Sequence, residues 1–290
     1  MMGAQNLQLQ PSTNALAPST KNFEGLITPF LQPTKFNRLR LTSAISRIRS
    51  TRRQSLCAVI SQKVDDVRVS LRRHDEKLNG KRLAVFVSGG GSNFKALHAA
   101  TLNGLILGDV VVLVTNKEDC GGATYAKEND IPVVLFPRTK ESSPSELVTT
   151  LRKFNVDFIL LAGFLKLIPV ELVQQFPKRI LNIHPSLLPA FGGKGYFGMK
   201  VHKAVIASGA RYSGPTIHFV DEEYDTGRIL AQRVVPVCAF DTPENLAARV
   251  LQEEHQLYVE VVAALCEDRI IWRDDGVPLI QSKEDPQHYS

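Results

Sequence analysis

Asn182-Ile-His184-Pro-Ser-Leu-Leu-Pro189 sets an amide and an imidazole two residues apart, at the end of an apolar run and before a Pro-flanked loop. Side chains alternate across a strand, so Asn182 and His184 share one face. An imidazole exchanges protons near neutral pH, and a side-chain amide beside it can hydrogen-bond an oxyanion. Taken alone, His184 reads more readily as a satisfied histidine at a strand end. The segment Gly214-Pro-Thr-Ile-His-Phe-Val-Asp-Glu-Glu-Tyr-Asp225-Thr-Gly227 supplies a third group. Asp225-x-Gly sets a carboxylate at the tip of a tight turn, whereas Asp221, Glu222 and Glu223 read as solvated turn residues. Amide, imidazole and carboxylate together make an oxyanion-stabilising and proton-transferring set the better reading.

The elements that must position this set follow from hydrophobic patterning. Leu83–Val87 is a short continuous apolar run, as in a strand buried on both faces. Gly89-Gly-Gly91 turns the chain, and Ser92–Leu102 has helical spacing. Strands over 109–115, 131–136, 157–161 and 179–183 alternate with helices over 122–129 and 144–154. That alternation predicts an α/β fold: an open, doubly wound, mostly parallel sheet with helices on both faces. After Tyr212 the pattern changes to two longer alternating strands, 213–220 and 229–237, and a long helix over 243–267. The expected domains are a transit segment 1–63, a linker 64–81, a catalytic domain 82–275 and a polar tail 276–290.

Composition narrows the function. The chain of 290 residues has net charge +6, but residues 1–63 hold nine Lys/Arg against Glu24 alone. That segment accounts for +8 and the other 227 residues for −2, so the predicted domain is not a basic nucleic-acid binder. Ser, Thr and Arg, almost without acid and with no sustained apolar run, is the composition of a transit peptide. The uncharged opening, with the first Arg at position 38, favours a plastid over a mitochondrion; an unaddressed tail is the bland alternative. Cys57, Cys120, Cys238 and Cys266 form no C-x-x-C pair, so no zinc site or disulfide framework is indicated. No apolar run has the length of a membrane span.

Ser88-Gly-Gly-Gly-Ser-Asn93, between strand and helix, either packs tightly or lets backbone N–H groups approach a phosphate at the helix terminus. Phe94 replaces the third glycine of a dinucleotide motif, strand two ends without an acidic residue for a ribose, and a P-loop lysine is absent. A monophosphate ester fits best.

Together these motifs and Leu161-Ala-Gly-Phe-Leu-Lys166 resemble the phosphoribosylglycinamide formyltransferase (glycinamide ribonucleotide transformylase) family of folate-dependent formyltransferases, over about residues 82–275. The resemblance implies formyl transfer from 10-formyltetrahydrofolate, the co-substrate, to the amine of glycinamide ribonucleotide in purine synthesis. It makes Asn182, His184 and Asp225 catalytic, with Asp225 keeping the imidazole charged. It places the substrate phosphate on Gly91, Ser92 and Asn93 and the ribose on Glu254. It maps the folate pocket to Leu165, Lys166, Leu167, Ile168, Asp221, Glu222, Glu223 and Tyr224, although Leu165–Ile168 also reads as ordinary core. The partners implied are small molecules, with no nucleic acid, no membrane and no metal. Three features depart from the family pattern: the 190–200 segment is longer, Lys166 stands where Arg is common, and 137–143 names no arginine for the folate tail. A formyltetrahydrofolate hydrolase would carry an N-terminal regulatory domain and a second His at the position of Pro185. A methionyl-tRNA formyltransferase would need a nucleic-acid-binding domain after the last helix, which about 20 residues do not supply. An inert nucleotide-binding module would have no use for the three polar groups together.

Overall fold

The computed structural model of the chain describes residues 80–136 and 144–290. The transit segment, Cys57, nearly all of the linker and the stretch 137–143 lie outside the described residues. The strands are β1 (Lys81–Val87), β2 (Gly108–Thr115), β3 (Val133–Leu135), β4 (Phe158–Leu161), β5 (Ile180–His184), β6 (Tyr212–Ser213), β7 (Thr216–Phe219), β8 (Ile229–Gln232), β9 (Val235–Pro236), β10 (Ile270–Trp272) and β11 (Pro278–Ile280). The helices are α1 (Ser92–Leu102), α2 (Gly121–Glu128), α3 (Pro144–Lys153), α4 (Val170–Gln175), α5 (Met199–Ser208) and α6 (Pro243–Cys266).

Seven strands form one sheet in the order β3-β2-β1-β4-β5-β7-β8. The first five run parallel, and β7 and β8 are antiparallel. The apolar run in β1 is continuous because each face meets its own core. Leu83, Val85 and Val87 pack with Phe94 and Leu97 of α1 and Leu257 and Val261 of α6. Ala84 and Phe86 pack on the other side with Leu147 and Leu151 of α3 and Leu172 of α4. Each such fully buried large side chain contributes about 1.5–3 kcal/mol. The expected doubly wound sheet is what forms.

Helix α6 runs across the first face. Thr242 caps it by accepting from the Asn245 N–H at 3.2 Å, with Pro243 in the first turn. Tyr258, fully buried, donates its hydroxyl to the Leu161 carbonyl at 3.2 Å. This fastens α6 beneath the carboxyl end of β4, where the site opens.

Several expectations need correcting. Lys81 belongs to β1 rather than to the linker, and α4 and α5 are additional helices; α5 takes up the last two residues of the 190–200 loop. The two long strands after Tyr212 are each broken in two. Gly214 (φ 144°) and Pro215 interrupt the first, and a Cβ on Gly214 would lie 1.8 Å from the Arg233 carbonyl oxygen. Ser213 therefore pairs with β9 in a small separate ribbon, while Thr216–Phe219 stays in the main sheet. Residues 276–290 are not a featureless tail. β11 pairs with β10, Ser290 exchanges backbone hydrogen bonds with Ile280, and the proposed boundary at 275 falls inside a hairpin.

Candidate active site

Asn182 and His184 lie within β5, at the carboxyl end of the parallel strands, where open α/β sheets place their ligands. The neighbouring strand runs the opposite way, and its register opposes Asn182 to His218 and His184 to Thr216. Residues directly opposite in a ladder share a face. Asn182 Nδ2 meets His218 Nε2 at 3.1 Å. His218 Nδ1 lies 2.9 Å from the Phe219 carbonyl oxygen, which only accepts, so Nδ1 carries a proton and Nε2 accepts from the amide. One N–H of Asn182 is thereby oriented, and the amide has a second.

Asp225 enters from the turn after β7, with φ 58°. Aspartate is among the few residues that enter this left-handed region readily, and its placement at the tip of a tight turn is as the sequence implies. Its Oδ2 is 3.5 Å from His184 Nδ1 and its Oδ1 is 3.6 Å from His218 Nε2. One carboxylate thus sits between two buried imidazoles, which are 4% and 2% exposed.

The charge state differs from expectation. Burial, the largest influence, lowers the His184 pKa below its ordinary value. Asp225 and a hydrogen bond to the Phe191 carbonyl push it back up without prevailing, and His218 reinforces the fall. Asp225 does not keep the imidazole charged; the neutral form is favoured at rest. Burial pushes the Asp225 pKa up, but the adjoining His218 and His184 imidazoles and the Gly193 N–H outweigh it, so the net shift is downward. A neutral imidazole beside an ionised carboxylate results. His202 of α5, also buried, has its own pKa lowered by burial and by His184.

Beside this cluster opens a cavity of about 380 Å³. Leu165, Lys166, Leu167 and Ile168 line it, together with Glu223 and Tyr224, as does the Gly193–Gly198 stretch. Leu165 and Leu167 are 48% and 44% exposed, so they are wall and not core, whereas Ile168 belongs to both. Asp221 and Glu222 are not among the lining residues. The Asp221 carboxylate is used within the turn, accepting from the Glu223 N–H and the Thr226 hydroxyl.

The glycine turn lies at the end of β1. Gly89 and Gly90 face open space. Gly91 has φ 72°, and a Cβ there would stand 2.9 Å from the Cα of Gly122 in α2. The turn therefore needs glycine for packing and still presents the start of α1 to a ligand; Ser92 is exposed there. Asn93 points inward, and its Nδ2 donates to Glu254 Oε2 at 2.7 Å while its buried Oδ1 has no partner among the described residues. Burial pushes the Glu254 carboxyl up to about 7, the Asn93 hydrogen bond opposing. Ser88 joins turn and cavity: its hydroxyl donates to Asn116 Oδ1 at 2.6 Å and accepts from the Leu165 N–H at 2.9 Å.

The sequence reading gave His218 no role. A signal for it existed in the period-two spacing of Thr216 and His218, but only the register across β5 and β7 shows which residues they oppose. Among the described residues no group of His, Cys, Asp and Glu is arranged to hold a metal ion, and no helix is long and apolar enough to cross a membrane. Cys120 and Cys266 are buried free thiols, and Cys238 is exposed.

A doubly wound sheet carries an amide, an imidazole and a carboxylate at its carboxyl edge, an arrangement suited to a group-transfer enzyme. The family model described as formyl transferase matches residues 81–262. A chloroplastic phosphoribosylglycinamide formyltransferase of Vigna unguiculata is 73% identical over 213 residues, covering 72% of this chain and 68% of its own length. One of Arabidopsis thaliana is 58% identical over 289 residues, covering 98% and 94%. The crystal structure of phosphoribosylglycinamide formyltransferase from Anaplasma phagocytophilum is 33% identical, with TM-score 0.64, covering 70% of this chain and 95% of that one. The chain belongs to the formyl transferase family, in its phosphoribosylglycinamide formyltransferase branch.

Proposed function

We propose that this chain transfers the formyl group of 10-formyltetrahydrofolate to the amine of glycinamide ribonucleotide, a step of purine biosynthesis, in the plastid. The observation that carries the reading is the convergence of Asn182, His184, His218 and Asp225 at the side of one cavity with exposed apolar walls. Leu165, Leu167 and Tyr224 suit the flat rings of a folate, and Lys166 suits its carboxylates. The glycine turn and the start of α1 suit a phosphate, and Asn93 with Glu254 suits the ribose hydroxyls.

In the reaction the amine lone pair attacks the formyl carbon, and the carbonyl electrons move to its oxygen. The free N–H of Asn182 stabilises that oxyanion. Neutral His184 takes the proton shed by the new ammonium centre. Asp225 stabilises the imidazolium that forms, for which it is placed at 3.5 Å. The carbon–N10 bond then breaks, N10 receives the proton, and formylglycinamide ribonucleotide and tetrahydrofolate leave. His184 thus begins and ends neutral, in keeping with its lowered pKa.

The purified chain should form tetrahydrofolate from 10-formyltetrahydrofolate only when glycinamide ribonucleotide is present. Equal folate release with and without the ribonucleotide would assign the site to hydrolysis. The plastid destination read from the N-terminal composition agrees with the chloroplastic naming of the plant relatives; a fluorescent fusion of residues 1–76 should enter plastids.

A further inference from the structure

The segment between Pro189 and α5 returns to both ionisable groups of the catalytic cluster. The Phe191 carbonyl accepts from His184 Nε2 at 2.9 Å, and the Gly193 N–H donates to Asp225 Oδ2 at 2.8 Å. Between them Gly192 lies so close to its neighbours that a Cβ would stand 2.4 Å from Leu188 Cδ2 and 3.3 Å from Asp225 Cβ. Phe191 has φ 55°, a strained conformation for a bulky residue, and Gly193 has φ 91°. Strain of this kind persists where surrounding contacts hold it, and here the contacts are the two groups that move the proton.

We propose that the Phe191-Gly192-Gly193 backbone is a positioning element for formyl transfer, and that Gly192 is the residue that permits its approach. The inference rests on the formyltransferase reading of the site. A carbonyl oxygen only accepts, so the Phe191 contact fixes the His184 proton on Nε2 and leaves Nδ1 as the nitrogen that takes up a proton. The Gly193 N–H fixes Asp225 Oδ2 beside that nitrogen. The loop thereby selects both the tautomer and the carboxylate oxygen that answers it.

Three chains test this: Gly192→Ala, Leu188→Val and the double variant. Displacing the loop in Gly192→Ala should lower kcat about 100-fold with KM for both substrates changed less than about threefold, since misplacement by about an ångström has this effect. The acidic limb of its pH profile should move to lower pH, because the hydrogen bond to Phe191 favours protonated His184. Leu188→Val removes the atom that a Cβ would strike, so the double variant should recover most of kcat and the wild-type profile. An unchanged kcat in Gly192→Ala, or a folded double variant still as slow as the single one, overturns the proposal. If Gly192→Ala does not fold, the comparison of Leu188→Val with the double variant decides it by the same criterion; a double variant that also fails to fold overturns the steric argument. Imidazole 15N shifts of the wild-type chain provide a readout without turnover. An Nε2–H tautomer of His184 is expected, and an Nδ1–H tautomer refutes the proposal even in an active enzyme. An Nε2–H tautomer in a chain without formyl transfer counts against the functional reading alone.

Discussion

At the glycine turn most of the residues are neighbours in sequence; α2 closes against them, and α6 adds one distant group, Glu254, bonded to Asn93. At the candidate catalytic edge the groups come from β5, β7, the turn after β7 and the loop after β5, and only the fold brings them within reach of one another. The glycine turn is fixed by backbone freedom and close packing: Gly91 against Gly122, with open space before Gly89 and Gly90. The candidate catalytic edge is fixed by hydrogen bonds from Asn182 to His218, from His184 to the Phe191 carbonyl and from the Gly193 N–H to Asp225, whose carboxylate lies 3.5 and 3.6 Å from the two imidazoles. A recognition surface for a phosphate needs donors at a helix start, which a local motif provides. Proton transfer needs groups within hydrogen-bond reach and shifted pKa values, which only assembly provides.

The comparison is broken most severely by removing a member of the network. His184→Ala and Asp225→Asn should each lower kcat by about 10²–10⁴-fold, with melting temperatures close to wild type; near-normal turnover in either removes that residue from the mechanism. Residual activity of Asp225→Asn should also show its acidic limb at lower pH. The carboxylate raises the His184 pKa, so its loss lets burial lower that pKa further.

Glu254→Gln tests the glycine side through protonation. The Glu254 pKa of about 7 lies above its ordinary 4.5, so the folded chain binds the extra proton between those values. The stability this provides is complete below the ordinary pKa and is lost as pH rises through 7. The glutamine variant lacks this dependence. Relative to wild type it should gain about 3 kcal/mol between pH 4 and pH 8, measured by denaturant unfolding at each pH. Parallel unfolding curves would mean that Glu254 is not buried as a titrating group.

Gly91→Ala should destabilise by about 1–3 kcal/mol through its left-handed backbone. It should raise KM for the ribonucleotide more than KM for the folate; the reverse pattern would detach the turn from the phosphate. Smallest is Tyr258→Phe, which loses the hydroxyl bond to the Leu161 carbonyl beneath both regions. About 1 kcal/mol of stability should go, with kcat nearly unchanged.

The alternation of apolar runs and helical spacing made the parallel sheet legible, and α1 has the bounds its spacing predicts. α4 was not legible because its six residues are too few to show a period. α5 was hidden behind a glycine-rich loop, and the β10–β11 hairpin behind a polar segment whose pairing is with residues already read as the domain's end. Asn182, His184 and Asp225 were visible by type and setting, and the structure brings them together. Asp221 and Glu222 looked identical to Glu223 in a run of acids, yet the turn directs only part of that run to the cavity.

The sequence by itself determined the layer architecture, because periodicity dictates which faces must be buried, and it determined the chemical types available for reaction. The tertiary structure alone decided that His218 opposes Asn182, that Phe191 and Gly193 hydrogen-bond His184 and Asp225, and that burial lowers the His184 pKa. Register, loop return and desolvation depend on residues distant in the chain, and no local pattern encodes them.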